Sequence, residues 1–327
     1  MTLTFDQNTI NSTGIFVSSE LDKLDPVIHH PIDGFTWGRD ITLIEDLSIT
    51  DETTSFLLSN YTVVGGANPN GKNYISHNSD DIARVQVGTQ KITSPVNLWG
   101  LGLEYTIFAL EKSIKVNRPL DKSLHESLKK KWHQDIDEQV YIGDEPTNTK
   151  GLLNQDIIPA MNSTLDWRTA EPKEILGEFD YFLYHMWAQT GFNKLPEDIL
   201  LPPSIMSILV TRKVSESGDK SILNYLLENN IAKIQNIDLK IRACKWCMDT
   251  GANGSPRIMA YCNRNDICRI GIVPINRLAP QFRGFNQEIM YYGAIGTVEI
   301  VIPEACGYLD GATSSFDSQI SKLGYMQ

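Results

Sequence analysis

The chain has 327 residues, of which 41% are hydrophobic and 21% are charged. This composition is typical of a globular protein that buries one large core or two smaller ones. Its 40 acidic and 29 basic residues give a net charge of −11, which argues against direct binding to phosphates because that mode needs clustered lysine and arginine. The polar start and the absence of a long apolar run predict neither a secretion signal nor a membrane span.

The first 45 residues show no sustained helical or strand period. Short apolar patches alternate there with Pro26, Pro31 and Gly34. A segment of this kind cannot form a core of its own. It is therefore predicted to be an extended arm that finds its partners elsewhere.

A long hairpin is predicted next. Residues 53–64 and 82–99 are rich in β-branched and aromatic side chains, and GGANPNGKNYISHNSDD (65–81) lies between them. Glycine, asparagine and proline at that density predict a flexible tip. Twelve strand residues span about 40 Å. Because an isolated hairpin is marginal in water, this one is expected to rest on a neighbour.

One long amphipathic helix follows, from Asp121 to Tyr141. Apolar residues recur in it every four positions, and Gly143 ends the pattern. The stripe is read as core packing and consists of Leu124, Leu128, Trp132, Ile136 and Val140. At about 1.5 Å per residue the helix is about 32 Å long.

The rest of the chain mixes short helices and strands. A second helix opens at Pro172 and stops near Gly191, and a short strand is predicted at 198–203. Further predictions are a helix at 221–233, strands at 237–246, 257–262 and 268–275, and a final buried strand within 297–309. Since strands and helices do not alternate as βαβ units, the fold class indicated is α+β.

No motif in the sequence convincingly predicts a nucleotide-binding, metal or catalytic site. Gly66 to Asn73 matches the phosphate-binding pattern GxxxxGK, but Asn73 stands where a magnesium-binding serine or threonine is needed and no helix follows. Cys244, Cys247, Cys262 and Cys268 are spaced wrongly for a zinc site. Five cysteines, an odd number, suggest free thiols in a reducing compartment. No catalytic residue, cofactor or metal site is therefore predicted.

The residues resemble those of a known family, the tailed-phage major capsid proteins of the encapsulin-like, Hong Kong 97-type fold. The resemblance runs from about residue 20 to residue 312, and the block from residue 104 to residue 154 is its most specific part. Eight stretches carry it: ELDKLDP (20–26), FTWGRDI (35–41), GGANPNG (65–71), EYTIFALEKSIKVNRPLD (104–121), YIGD (141–144), GLLN (151–154), LLPPS (200–204) and VEIVIPEACGYLDG (298–311).

The resemblance implies a division of the chain into five parts. They are an N-terminal arm (1–44), an E-loop (45–100), a peripheral domain (101–159) with a spine helix at 118–142, an axial domain (160–290), and a C-terminal strand (291–327) that returns to the peripheral domain. It also implies that the hairpin of one subunit lies on the spine helix of the next. The tip residues assigned to assembly are Gly65, Gly66, Asn68, Pro69, Gly71 and Lys72.

The implied function is that of a shell subunit in the virion. Its copies would form pentamers and hexamers of an icosahedral head, assembled in the host cytoplasm, that encloses double-stranded DNA without specific contacts. Only about 20 residues precede ELDKLDP, so a separate scaffolding protein is expected, together with a portal and in some cases decoration proteins. Two alternatives stay open at this point: a nanocompartment shell that encloses an enzyme, and a stand-alone enzyme.

Overall fold

The computed structural model describes residues 34–44, 46–65, 72–75, 77, 82–115, 120–215 and 218–312, apart from the side chains of residues 114 and 120–123. Its helices are α1 (Trp37–Asp40), α2 (Ile107–Lys115), α3 (Leu120–Tyr141), α4 (Pro172–Gln189), α5 (Pro203–Thr211), α6 (Ile222–Glu228) and α7 (Ile231–Ile234). Its strands are β1 (Thr42–Ile44), β2 (Thr53–Val64), β3 (Arg84–Thr106), β4 (Ala160–Asn162), β5 (Asp198–Leu201), β6 (Lys240–Ala243), β7 (Arg257–Tyr261), β8 (Cys268–Arg277), β9 (Gln281–Arg283), β10 (Asn286–Gly296), β11 (Glu299–Ile300) and β12 (Gly307–Asp310).

These strands form two sheets, so the α+β prediction is confirmed. The first sheet has seven strands in the order β1-β8-β10-β3-β2, with β11 paired to β8 and β9 paired to β10. The second has five strands in the order β4-β12-β7-β5-β6.

The five-stranded sheet separates two hydrophobic cores. Alternate residues of its strands point to opposite faces. Leu200, Met259 and Tyr308 face a core that includes the buried side of α3. Their neighbours Ile199, Ile258 and Leu309 face a second core built with α4 to α7.

The predicted hairpin and long helix are both present. β2 and β3 pair in antiparallel register from Thr53↔Pro95 to Val64↔Arg84, and β3 continues to Thr106, beyond the predicted end of its strand. The long helix runs from Leu120 to Tyr141. Gly143 follows at φ +81°, a conformation that favours glycine and ends the helix as predicted.

Two predictions about the second half of the chain are wrong in detail. The helix expected at 221–233 is two short helices, because the Asn230 side chain accepts a hydrogen bond from the Lys233 amide and caps a new start. The strand expected at 237–246 covers only Lys240–Ala243, and a 3₁₀ turn (Lys245–Met248) follows it.

The final strand lies in the five-stranded sheet. Gly307–Asp310 pairs with β4 and β7 there. Only one of its faces returns toward the long helix, through Tyr308, whose hydroxyl donates a hydrogen bond to the Leu152 carbonyl. β12 is buried on both sides, between the two cores, and its return to a peripheral domain stays a prediction.

Part of the predicted arm is anchored in its own chain. Asp40 and Ile41 are buried, and β1 pairs in parallel with β8. The Asp40 carboxylate accepts hydrogen bonds from Arg39 and from the Tyr141 hydroxyl. The prediction that the arm must find partners elsewhere is therefore wrong for residues 34–44. Residues 1–33 lie outside the described residues, so there the arm stays a prediction.

Candidate assembly surfaces

The far half of the hairpin carries an apolar strip on one face. Residues directly opposite each other in an antiparallel pair share a face, and Tyr61 faces Val87 while Val63 faces Val85. We call the five residues Leu57, Tyr61, Val63, Val85 and Val87 the hairpin strip. Leu57, Tyr61, Val85 and Val87 are between 64% and 78% exposed. An apolar surface of this kind marks a contact site.

The opposite face of the hairpin is different. Near the base, Phe56 and Ile92 are half-buried, and the Arg269 guanidinium lies 5.8 Å from the Phe56 ring centroid. Further out, the face carries polar residues such as Asn60 and Gln86. The hairpin is thus amphipathic, and its strip lacks a partner among the described residues of its own chain.

The tip is described only at its margins. Gly65 has φ +80°, and the Lys72 ammonium lies 6.0 Å from the Tyr74 ring centroid. Tyr74 and Ile75 are exposed. Gly66, Asn68, Pro69 and Gly71 lie outside the described residues, so their predicted role in assembly stays a prediction.

The base of the hairpin packs against α3. The Trp99 ring of β3 packs edge-on against Trp132 at 4.8 Å between centroids, and its indole nitrogen donates to Asp135 at 2.8 Å. Gly293 of β10 is needed here, since an added Cβ would lie 2.9 Å from the Trp132 ring. Along the predicted stripe, Leu128, Trp132, Ile136 and Val140 are buried and Leu124 is half-buried.

A second exposed apolar cluster lies at the other end of the seven-stranded sheet. Phe108 of α2 lies 5.2 Å from Phe285, and both rings, like that of Phe282, are more than half exposed. This cluster could not be predicted from the sequence, because isolated phenylalanines carry no periodic signal and only the pairing of β10 with β3 and β9 brings them together.

Sites for small ligands are poorly developed. A groove of about 340 Å³ lies between β3 and the end of α3, but across the described ranges no group of three histidine, cysteine, aspartate or glutamate side chains could hold a metal ion. All five cysteines are buried free thiols. Burial raises the pKa of the Cys262 thiol to about 11, which keeps that thiol protonated and unreactive.

None of the helices in the described ranges is long and apolar enough to span a lipid bilayer.

Comparison with known proteins identifies the type of chain. A family model described as "Major capsid protein" matches residues 71–312, whereas no curated protein matches by sequence. Among solved structures, the capsid of Myoviridae phage XM1 is similar with a TM-score of 0.73, at 17% identity over 91% of this chain and 99% of that one.

Two further structures agree with it. The capsid of an empty GTA particle gives a TM-score of 0.61 at 11% identity, covering 92% of this chain and 99% of the other. Microbacterium phage Oxtober96 gives 0.59 at 9% identity, covering 88% and 94%. At such identities the similarity shows the fold, which is the Hong Kong 97-type capsid fold. Because the family model spans most of the chain, the protein belongs to the major capsid protein family.

Proposed function

We propose that the protein is the major capsid protein of a tailed bacteriophage, and that its copies form the pentamers and hexamers of an icosahedral head around double-stranded DNA. Its family is structural, so the protein is not an enzyme. The observation that carries the proposal is the hairpin strip, an exposed apolar surface for which the described part of the chain provides no partner.

The parts of the molecule take the following roles in this proposal. Residues 45–100 are the E-loop, α3 is the spine helix of a peripheral domain, and α4 to α7 on the five-stranded sheet form the axial domain that meets its copies around the capsomer axes. Residues 1–33 form the arm. β8 and β10 belong with the peripheral domain, because they pair with β3 and not with the axial sheet.

The energetics favour a contact between copies. Each exposed valine, leucine or tyrosine of the strip contributes about 1.5 kcal/mol or more when it is removed from water. The described residues of the single chain leave this strip exposed. In a head-to-tail contact repeated around a closed ring, the strip of every copy is buried once against a neighbouring copy.

The charge of the chain fits a container for DNA. With a net charge of −11, its surface repels the packaged phosphates and holds them without specific contacts. A separate scaffolding protein, a portal and decoration proteins are the further partners proposed.

The test is assembly of the purified protein. Expressed alone or together with its scaffold, it should form rings, tubes or shells visible by negative-stain microscopy. A monomer in light scattering at every concentration, with and without the scaffold, would contradict the proposal.

The cargo separates a phage head from a nanocompartment shell of the same fold. Particles purified from infected cells should protect double-stranded DNA from nuclease digestion. Particles that contain an enzyme and no protected DNA would support the nanocompartment alternative.

A further inference from the structure

The far part of the hairpin is a two-stranded ribbon. β3 pairs with β10 only from Val96 to Thr106, and residues 84–95 of β3 pair with β2. Among the described strands, β2 pairs with β3 and with no other. Two-stranded ribbons vary more in twist than wider sheets do. The backbone hydrogen bonds alone therefore do not fix the angle at which the hairpin leaves the seven-stranded sheet.

Three side chains from different strands meet at the base of this ribbon. Phe56 belongs to β2, Arg269 lies at the start of β8, and Glu299 of β11 lies directly opposite Arg269. The Arg269 Nε donates a hydrogen bond to Glu299 at 2.9 Å, and the Arg269 guanidinium lies 5.8 Å from the centroid of the Phe56 ring. We call these three residues the Arg269 cluster.

The alternation of the strands places the ring and the guanidinium on the same face. Arg269 and Val273 are separated by an even number of residues along β8, so their side chains lie on one face. Phe56 shares the face of Val96, because it lies opposite Ile92, which has the same alternation as Val96 on β3. Val96 and Val273 are buried in one cluster. The Arg269 cluster therefore extends a packed part of the sheet outward to the hairpin.

Glu299 holds the guanidinium in position. It is 2% exposed, and its Oε1 has no hydrogen-bond partner among the described residues, so the bond from Arg269 to Oε2 is the contact that compensates its burial. Because this bond uses the edge of the guanidinium, the planar face is left for the ring of Phe56. A lysine ammonium has no such plane and cannot make both contacts in this way.

We propose that Arg269 is a brace that sets the angle between the hairpin and the sheet, and that this angle sets the curvature of the shell. A rotation of about 15° at Phe56 moves Thr62 by about 5 Å, since six strand residues span about 20 Å. In a head-to-tail contact, the rotation between copies decides whether a ring closes. The link to curvature rests on the proposed function, whereas the angle is a property of the single chain.

A pair of spin labels on the full chain measures the angle. All five cysteines are buried free thiols, so a thiol-specific label attaches at two introduced cysteines, Thr62→Cys on the polar face of the hairpin and Asn276→Cys on β8. Both positions are exposed. Labelled chain is diluted into an excess of unlabelled chain, so that double electron–electron resonance reports the distance between labels within one copy.

Loss of either partner of the stacked pair should loosen the hairpin. Arg269→Met and Phe56→Leu should each broaden the distribution of distances between the labels by about 5 Å. The double variant should broaden it no further, because each change alone removes the same contact. Arg277→Met is the matched control, since it removes a guanidinium from the opposite end of the same strand. Its distribution should keep the wild-type width.

Arg269→Lys separates the brace from simple neutralisation of Glu299. It keeps a positive charge beside the carboxylate and loses the planar face, so it should broaden the distribution as Arg269→Met does. A wild-type width for Arg269→Lys beside a broad one for Arg269→Met would overturn the brace.

Folding of Arg269→Met is the remaining concern, because this change leaves the buried Glu299 carboxylate unpaired. Phe56→Leu keeps the ion pair, and the double variant Arg269→Met, Glu299→Gln removes both charges. If Arg269→Met does not fold, these two variants replace it. Wild-type widths in both of them would also overturn the brace.

The diameters of negatively stained shells test the link to curvature. Phe56→Leu should assemble into particles with a wider spread of diameters than those of the wild type and of Arg277→Met. Broad label distances with wild-type diameters would overturn the link to curvature. A wild-type chain that forms no shells would contradict the proposed function instead, while the label distances, which need no assembly, would still test the brace.

Discussion

The two halves of β3 have the same alternation and opposite surroundings. In the half near the base, Trp99, Leu103 and Tyr105 pack against α3. In the far half, Val85 and Val87 extend the same face into solvent. One strand thus has two roles in the proposed function: its base stabilises the subunit, and its far end contacts another copy.

Variants in the two regions should therefore fail differently. Changes among buried residues around α3 should lower the free energy of unfolding of the subunit. Changes in the far hairpin should leave that free energy unchanged and act only on association.

The largest loss is expected for Trp132→Ala. Trp132 is 5% exposed and packs against both Trp99 and Gly293, so its removal leaves a cavity that costs about 3–5 kcal/mol. Denaturant unfolding and soluble yield measure it. The exposed Gln134 on the same helix is the control, since Gln134→Ala should change stability by less than about 0.5 kcal/mol. Equal losses for the two variants would contradict the division.

A smaller loss is expected for Asp137→Ala. This buried carboxylate accepts hydrogen bonds from the backbone amides of Thr36 and Trp37, at 2.8 and 3.1 Å, and from the indole of Trp246 at 2.8 Å. Thr36, Trp37 and Trp246 are only half-buried, so water can replace part of the lost hydrogen bonds and the loss should be about 1–3 kcal/mol. Residues 34–40 should also become sensitive to protease. The exposed Asp249 provides the control, because Asp249→Ala removes the same charge without orphaned donors.

The cysteines should matter less still. Cys244 and Cys247 are buried in the core beside α3, where each acts as a small apolar side chain. Cys244→Ala and Cys247→Ala should each cost about 1 kcal/mol by denaturant unfolding. Elemental analysis should detect no stoichiometric zinc. Zinc that is lost together with the fold on chelation would overturn this interpretation.

The sequence predicts well those elements whose signal is local. Apolar residues at every fourth position from Leu124 to Val140 define α3, and Gly143 marks its end. The hairpin is equally predictable from the sequence, because strands rich in β-branched residues flank a segment rich in glycine and asparagine. The amphipathic character of its far half also follows once the register pairs Tyr61 with Val87.

Features that depend on distant partners could not be predicted in this way. The apolar pattern of 221–233 continues across the junction of α6 and α7, and only the Asn230 side chain separates them. β12 gives no local sign that it pairs with β4 and β7. Leu98 and Met290 come to the same face of the seven-stranded sheet only through the β3–β10 register. Long-range pairing decides each of these.

The smallest effect on the subunit, and the clearest effect on the shell, is expected from shortening the tip between Gly65 and Asp81 to a two-residue Asn-Gly turn. A turn of that type suits a tight hairpin, and loop length alone weighs weakly on stability. Circular dichroism and the free energy of unfolding should stay at their wild-type values, because Tyr74 and Ile75, the large apolar residues described in the deleted segment, are exposed.

Assembly should respond to the same deletion, because the described margins of the tip carry the exposed Tyr74 and Ile75 and extend the reach of the hairpin strip. Capsomers and shells should be absent or should dissociate at lower denaturant concentration than wild type. The Gly88→Leu variant, changed within the same hairpin but on its polar face, should assemble normally. If the shortened chain unfolds, or if its shells are as stable as those of the wild type, then the far hairpin does not join one subunit to the next.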